Sequence, residues 1–276
     1  MKNFMKMTLA TLLGLVVFSV VTMIIGFGII GAVASLGDKQ PVMPAQAVLT
    51  LDMSSVVLGE QTAEADPLSM LTGGISAGQL GIYDAVKALN AAAADPAVKF
   101  IYMTPDATSG GLAQIEEFRD ALENFRNSGK AIVSYIENPS NAGYYLASVS
   151  DKIYMTSSDG GMNMFTGVSS QMVFLKDLLE NLGINVQLIR HGKYKSAGEM
   201  FINSSPSADN LEQNEAMITS IWNNWSGAIA DSRGISTEEL NSLLENLELC
   251  FPEDFLSYGL VDGLTSREEM REKLAL

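Results

Sequence analysis

Apolar residues in the first two-thirds of the globular part alternate between two periods. Short runs rich in branched and aromatic residues predict strands; they cover residues 47–53, 98–103, 131–136, 152–156 and 185–190. Stripes at helical spacing predict helices between them; these stripes are Ile82, Val86 and Leu89, then Ile115, Phe118, Leu122 and Phe125, with shorter helices at 144–150 and 172–183. Alternating strands and helices indicate an α/β fold with a mostly parallel sheet.

Two regions depart from this alternation. Residues 54–78 have no clear period and contain adjacent glycines, which predicts a loop. After residue 195 the pattern becomes helical, with a long helix at 208–232, another beginning at a Ser236–Glu239 capping pattern, and a short one ending at Gly259. We expect apolar anchors for a neighbouring domain in this helical part; they are Trp222, Trp225 and Phe255.

The N-terminal region predicts a membrane anchor. No residue from Met7 to Leu36 is charged, and the run exceeds the roughly 20 residues that span a bilayer. We therefore assign residues 1–7 to the cytoplasm, 8–36 to a transmembrane helix, 37–46 to a linker and 47–276 to one domain. Lys2 and Lys6 place the N-terminus inside, so the domain lies on the extracytoplasmic side.

A cleavable signal peptide is the alternative, because Ala32-Val33-Ala34 fits a cleavage site. The apolar run is about twice the usual length of a signal-peptide core, which favours the uncleaved anchor.

Charge and composition exclude several classes of function. The net charge of −15, from 32 acidic and 17 basic residues, argues against nucleic-acid binding. The single histidine, His191, excludes a multi-histidine zinc site, and the single cysteine, Cys250, excludes an intrachain disulfide and is expected to be buried. We expect no metal and no cofactor. A hydrolase built from this chain would need lysine or a carboxylate as its base.

Three stretches follow predicted strand ends, where α/β sheets usually place functional groups. TSGG, residues 108–111, offers the main-chain N–H groups of Gly110 and Gly111 for an oxyanion, although adjacent glycines are more often a simple turn. NPSNAGYYLAS, residues 138–148, is a small-residue turn that leads into a helix N-terminus and could expose a nucleophile.

The third stretch is HGKYKSAG, residues 191–198, which follows the last predicted strand. Lysine is the known alternative to histidine as the base of a serine peptidase, but it must be neutral, and burial favours the neutral form. Lys195 has an aromatic neighbour and small residues around it, which is compatible with partial burial of this lysine. The alternative is an ordinary solvated lysine.

The order and spacing of these motifs resemble the signal peptide peptidase A (protease IV) family, peptidase family S49 of the Clp/crotonase superfamily. The matching segments are YYLASVSDKI, YKSAGEMF and GLVDG, and the most diagnostic is YKSA. The resemblance implies a Clp/crotonase-like βαβ superhelical fold and a Ser–Lys dyad that cleaves residual signal peptides. It assigns the general base to Lys195, and Ser196 either orients that lysine or caps a helix.

The chain departs from the family pattern at the nucleophile, because Asn141 occupies the expected serine position and Ser140 lies one residue out of register. The long, tandem members resolve this, since their N-terminal half supplies the lysine and their C-terminal half the serine. The chain resembles that N-terminal half.

The resemblance implies a serine endopeptidase whose active site is incomplete in this chain. The expected partners are a serine-bearing C-terminal half or partner chain, signal-peptide fragments, the membrane and further copies in a homo-oligomer, without nucleic acid. The expected location is the bacterial inner membrane, with a single pass and the domain in the periplasm. The alternatives are a catalytically silent scaffold that binds peptides and, less compatible with export, an acyl-CoA enzyme of the crotonase type.

Overall fold

The structure is a computed structural model that describes residues 2–37, 45–60 and 78–274. The chain divides into two compact units, Met1–Ala45 and Gln46–Leu276.

The first unit consists of one helix, α1, which runs from Lys2 to Gly37. Its stretch Asn3–Gly28 has a mean hydropathy of 2.5, and its side chains are exposed in the chain. A helix of 26 residues is about 39 Å long, which exceeds the roughly 30 Å hydrocarbon core of a bilayer. This stretch is therefore long and apolar enough to cross a membrane, a property that signal sequences share.

The second unit alternates strands and helices in its first half. The strands are β1 (Ala47–Asp52), β2 (Val56–Gly59), β3 (Gly78–Gly81), β4 (Val98–Thr104), β5 (Ser109–Gly110), β6 (Ala131–Ile136), β7 (Lys152–Thr156) and β8 (Gly263–Thr265). The helices are α2 (Ile82–Ala94), α3 (Leu112–Asn127), α4 (Asn141–Ala147), α5 (Lys176–Asn181), α6 (Glu199–Ile202), α7 (Ala208–Arg233), α8 (Thr237–Glu245), α9 (Pro252–Ser257) and α10 (Arg267–Leu274), and Met53–Ser55 form a 3-10 turn.

The strands form two parallel sheets. The larger has the order β1-β4-β6-β7-β8, and the smaller has the order β3-β2-β5. In the larger sheet, helices lie between the successive paired strands, as parallel pairing requires. The parallel sheets, the alternating helices and the N-terminal apolar helix confirm the predicted α/β class and fit a Clp/crotonase-like fold.

The core lies where the large sheet meets α2 and α3. All four residues of the predicted α3 stripe are buried, because a spacing of three and four residues places them on one face of the helix. The buried Arg119 on the same helix donates to the carbonyl oxygen of Tyr145 at 2.6 Å and to Ser148 Oγ at 2.9 Å. It thereby satisfies polar groups at the C-terminal end of α4, so it fixes this short helix against α3.

Several predicted elements change in the structure. The region 54–78 is not entirely loop, because residues 56–59 form β2; residues 61–77 of that prediction lie outside the described part. The fourth helix begins at residue 141 instead of 144, since the Ser140 hydroxyl accepts a hydrogen bond from Gly143 N and caps it there. The predicted helix 172–183 is shortened to 176–181.

The predicted strand at 185–190 is wrong. This segment is irregular and pairs with no strand in the described part of the chain. Its β-branched side chains, Val186 and Ile189, are exposed instead of buried, and Ile189 is 97% exposed. A strand needs a neighbouring strand to receive its main-chain hydrogen bonds, so local preference alone does not create one.

The predicted exposure of individual side chains also needs correction. Trp225 and Phe255 are buried in the core and Trp222 packs against it, so none of these residues forms an exposed anchor. They pack around α4, where Trp225 stacks on Tyr145 with ring centroids 4.6 Å apart. Cys250, which was expected to be buried, is exposed because it follows the turn after α8.

Candidate active site

The second predicted stretch contacts the loop that leads to the first, at the carboxyl ends of two neighbouring strands. The loop after β4 carries Asp106, and the turn after β6 carries Ser140. Because β4 and β6 are paired, Ser140 Oγ lies 3.2 Å from the carbonyl oxygen of Asp106. The predicted nucleophile turn is thus packed against the loop that leads to the predicted oxyanion glycines.

Asn141, at the position where the family pattern has serine, is fixed by its side chain. Its Nδ2 donates to the carbonyl oxygen of Gly167 at 2.6 Å. Its Oδ1 accepts from the main-chain nitrogens of Thr166 and Gly167 at 3.0 and 3.1 Å. The amide therefore joins the turn to residues 166–167.

The hydroxyl of Ser140, adjacent to that position, is also engaged in hydrogen bonds. Its Oγ accepts from Gly143 N at 3.0 Å and donates to Asp106 O at 3.2 Å. These are the contacts of a helix N-cap, which satisfies an otherwise unpaired main-chain N–H. In this chain, Ser140 is the N-cap of α4.

The two predicted oxyanion glycines have structural roles. Gly110 belongs to β5 and pairs with Leu58 of β2. A Cβ on Gly110 would lie 2.9 Å from Leu58 Cβ and 3.0 Å from Leu58 O, so only glycine allows this pairing without a shift. Gly111 is the N-cap residue of α3, and its carbonyl oxygen accepts from Ile115 N at 3.0 Å.

Asp106 was missed in the sequence analysis. Its Oδ2 accepts from Glu137 N at 2.8 Å, while its buried Oδ1 has no hydrogen-bond partner among the described residues. Desolvation raises the pKa of this carboxyl. An acidic residue directly after the Thr104-Pro105 strand end was the only available signal, and it is a weak one.

Lys195 lies in an irregular loop between residue 184 and α6 and is exposed. Its ammonium makes no hydrogen bond or ion pair within the described ranges 2–37, 45–60 and 78–274. Of the two alternatives, partial burial and an ordinary solvated lysine, this chain alone shows the solvated lysine. The reason is the missing strand at 185–190, since an unpaired segment carries no sheet neighbours to cover the loop.

Lys193, two residues away, is held by acidic groups of α7. Its Nζ lies 3.1 Å from Glu212 Oε2 and 3.4 Å from Asp209 Oδ1, and Tyr194 OH donates to Glu212 Oε1 at 3.0 Å. The bond to Glu212, followed by those to Tyr194 and Asp209, raises the pKa of Lys193. Lys193 is thus held in its charged form and is unsuited to accept a proton.

Ser196 fits neither of its two predicted roles in this chain. The N-cap residue of α6 is Gly198, and Ser196 contributes only its carbonyl oxygen, which accepts from Glu199 N at 2.9 Å. No hydrogen bond joins its hydroxyl to the Lys195 ammonium in the described structure.

Two residues that flank this loop, Arg190 and Glu199, were not predicted as site residues, although the residues between them were. Arg190 Nη1 donates to Glu199 Oε1 at 2.7 Å.

The loop at 191–198 is not bonded to the other two stretches. Within the described residues, no hydrogen bond or ion pair connects it to the turn at 138–143 or to residues 108–111. In that same part of the chain, no group of three His, Cys, Asp or Glu side chains could hold a metal ion. Within the described residues, the lysine loop and the turn that carries Ser140 and Asn141 are therefore not joined by a hydrogen bond or an ion pair.

Comparison with known proteins decides the family. The model of "Peptidase family S49" matches residues 124–276, which is more than half of the chain. The chain belongs to peptidase family S49. The matched range of this S49 chain includes the turn at 138–143 and Lys195, but not Gly110 and Gly111.

Individual relatives of this S49 chain are named proteases. It is 27% identical over 211 residues to "Protease 4" of Haemophilus influenzae, covering 75% of the chain and 34% of that protein. It is 28% identical over 255 residues to "Protease 4" of Salmonella typhi, covering 90% of the chain and 38% of that protein. It is 33% identical over 153 residues to "Serine protease SPPA, chloroplastic" of Arabidopsis thaliana, covering 55% of the chain and 22% of that protein. The chain thus spans between about a fifth and two-fifths of the length of these relatives.

Proposed function

We propose that this chain is the lysine-donating part of a membrane-anchored serine endopeptidase that degrades cleaved signal peptides. One observation carries the assignment of the base. Lys193 is bonded to two carboxylates, whereas the ammonium of Lys195 is exposed and has no partner among the described residues. A general base needs its nitrogen free to accept a proton, so Lys195 is the lysine of this loop that suits the role.

The nucleophile comes from another domain or chain. Asn141 carries no hydroxyl, and the Ser140 hydroxyl is occupied by its capping contacts. In the complete site, a partner serine donates its proton to neutral Lys195 as it attacks the scissile carbonyl, and the resulting ammonium then protonates the leaving amine. We assign Gly110 and Gly111 to the fold and expect the oxyanion donors from the serine-bearing domain.

The surface around Lys195 supports burial by such a partner. The segment at 173–201 exposes an unusual number of apolar side chains; they are Val173, Leu178, Leu182, Ile184, Val186, Ile189, Tyr194 and Phe201. Exposed apolar patches of this kind commonly mark interaction sites. A partner that covered this segment would bury its apolar area and also desolvate Lys195, which favours the neutral amine.

The anchor in this proposal is α1, with its N-terminus in the cytoplasm and the second unit in the periplasm. Lys2 and Lys6 precede the apolar stretch and favour that orientation. Protease added to spheroplasts that express the chain is expected to digest the second unit and spare α1. Protection of the second unit until detergent is added would reverse the topology.

Labelling with a serine-directed fluorophosphonate tests the composite site. The purified chain in detergent is expected to remain unlabelled. A serine-bearing S49 domain from the same organism is expected to be labelled and to cleave a signal-peptide substrate only when this chain is added. Absence of labelling and cleavage in the mixture, despite a demonstrated complex, would support the silent scaffold.

Substitutions at the apolar segment test where the partner binds. Ile189→Asp is expected to weaken the complex at least tenfold, because it places a charge in a contact that must be dehydrated. Tyr83→Asp is the matched control, since Tyr83 is exposed on α2, outside the segment. Equal affinity of both variants would move the partner surface elsewhere.

A further inference from the structure

The loop that carries Lys195 is closed by a buried carboxylate. Glu199 is only 1% exposed, although it lies four residues after an exposed lysine. Its Oε1 accepts from Arg190 Nη1 and from Ser207 Oγ, both at 2.7 Å. Its Oε2 accepts from Ser207 N at 3.1 Å and from Asn210 Nδ2 at 3.2 Å.

These contacts connect the loop to the start of α7. Ser207 is the N-cap of that helix, and its hydroxyl accepts from Asn210 N while it donates to Glu199. The carboxylate therefore ties two chain segments that the sequence separates by eight residues. A buried carboxylate with every contact from a donor is a rigid point of attachment, because removal of any donor leaves a buried charge less well paired.

Arg190 extends this attachment to Lys195. The same guanidinium nitrogen that bonds Glu199 also donates to the main-chain carbonyl oxygen of Lys195 at 3.0 Å. One nitrogen thus holds the carbonyl oxygen of Lys195 and the side chain of Glu199 together. Since Arg190 touches only the backbone of Lys195, the ammonium of that lysine stays free.

Close packing inside the loop leaves little alternative for its path. A Cβ on Gly198 would lie 2.5 Å from Leu188 Cδ1, and the backbone of Gly192 has a φ of +109°. A side chain at the first position would make Leu188 shift, and the second is a left-handed conformation that favours glycine. Glycine at these two positions therefore suits the path of the backbone on either side of Lys195.

We infer that Arg190 and Glu199 are positioning residues for Lys195, holding its backbone so that the amine projects toward the partner serine. This inference rests on the proposed Ser–Lys function. Neither residue reaches the substrate in this role. They act through the carbonyl of Lys195, and the geometry needed for proton transfer is sensitive to shifts of about 1 Å.

Arg190→Gln is the decisive variant because Arg190 is part-exposed and its replacement leaves three of the four hydrogen bonds to the Glu199 carboxylate in place. In the complex with the serine-bearing domain, kcat is expected to fall ~10- to 100-fold while KM stays within about twofold, since substrate binding does not involve this residue. Arg190→Lys is expected to recover most of kcat, because one nitrogen makes both contacts. Arg126→Gln is the control, as Arg126 pairs with Asp151 and donates to the carbonyl oxygen of Val149, outside this loop.

Hydrogen exchange on the full chain in detergent provides a readout that does not depend on catalysis. The two hydrogen-bonded amides of this segment, Lys195 N and Glu199 N, are expected to exchange about tenfold faster in Arg190→Gln, the ratio that loss of a charge-assisted hydrogen bond produces. Unchanged exchange rates would show that Arg190 does not hold this loop. Faster exchange with unchanged kcat would show that Arg190 only stabilises the loop, and it would overturn the positioning role.

Lys195→Ala separates this inference from the function beneath it. If that variant still cleaves, the Ser–Lys proposal fails and the positioning role fails with it, while the exchange data still report the attachment. If Lys195→Ala is inactive and Arg190→Gln retains full kcat, the proposed function stands and the positioning role is overturned.

Discussion

Lys193 Nζ lies 3.1 Å from Glu212 Oε2, so the first lysine of the YKSA loop is paired with α7. The second lysine, Lys195, is left without a partner among the described residues. Two lysines only two residues apart therefore differ in what they can do. The difference has a kinetic consequence.

Lys195→Ala and Lys195→Arg are both expected to abolish cleavage by the complex with a serine-bearing domain, because a guanidinium stays protonated and cannot accept the serine proton. Lys193→Ala is expected to stay within about threefold of wild type, since an exposed ion pair contributes little. Initial rates on a signal-peptide substrate measure both. Near-normal turnover of Lys195→Arg would remove Lys195 from the dyad.

Asn141→Ala is expected to lower the free energy of unfolding by about 2–3 kcal/mol, since three hydrogen bonds of a half-buried amide are lost. Urea unfolding of the chain in mild detergent, followed by the fluorescence of Trp222 and Trp225, measures it. Asn127→Ala, at the exposed end of α3, serves as the control and is expected to change stability by less than about 0.5 kcal/mol. Equal values for the two variants would show that the Asn141 amide does not hold the turn.

Gly110→Ala is expected to destabilise the second unit by about 1–3 kcal/mol, because its Cβ meets Leu58 Cβ and O at 2.9 and 3.0 Å. Gly227→Ala is the matched comparison. It lies within α7 with nothing within 4 Å of its Cβ, so alanine there is expected to add roughly 0.5–1 kcal/mol. The same urea titration reports both. A Gly110→Ala variant as stable as wild type would show that the pairing with Leu58 does not require glycine at this position.

Glu199 predicts a specific acid sensitivity. Its hydrogen bonds, first that from the Ser207 side chain, lower its pKa from 4.5 to about 2. A lowered folded-state pKa contributes stability that is complete above pH 4.5 and is lost as the pH falls toward 2. The difference in Tm between wild type and Glu199→Gln is thus expected to be constant near neutrality and to shrink between about pH 4.5 and 2.

Glu117→Gln gives the baseline for that pH series, because Glu117 is exposed on α3. Its Tm difference from wild type is expected to stay flat over the same range. A Glu199→Gln difference that is equally flat would mean that the carboxylate gains nothing from its ionised form.

The sequence by itself determined the elements whose signal is local. The strands at 98–103, 131–136 and 152–156 appear as apolar runs because the middle of a parallel sheet is buried on both faces. The α3 stripe was predictable because helical spacing alone fixes which residues share a face. The apolar N-terminal helix was also predictable, since its length and composition need no tertiary partner.

Only the tertiary structure decided features that depend on distant partners. Residues 185–190 have strand-like preferences but no neighbouring strand in the described structure, so the burial expected for Lys195 is absent. Glu212 and Asp209 pair with Lys193 and not with Lys195. Hydrogen bonds from Arg190 and Ser207 to Glu199 close the loop. Which of two neighbouring lysines stays free is set by side chains that folding brings from another helix, and the spacing of residues within the loop does not encode that contact.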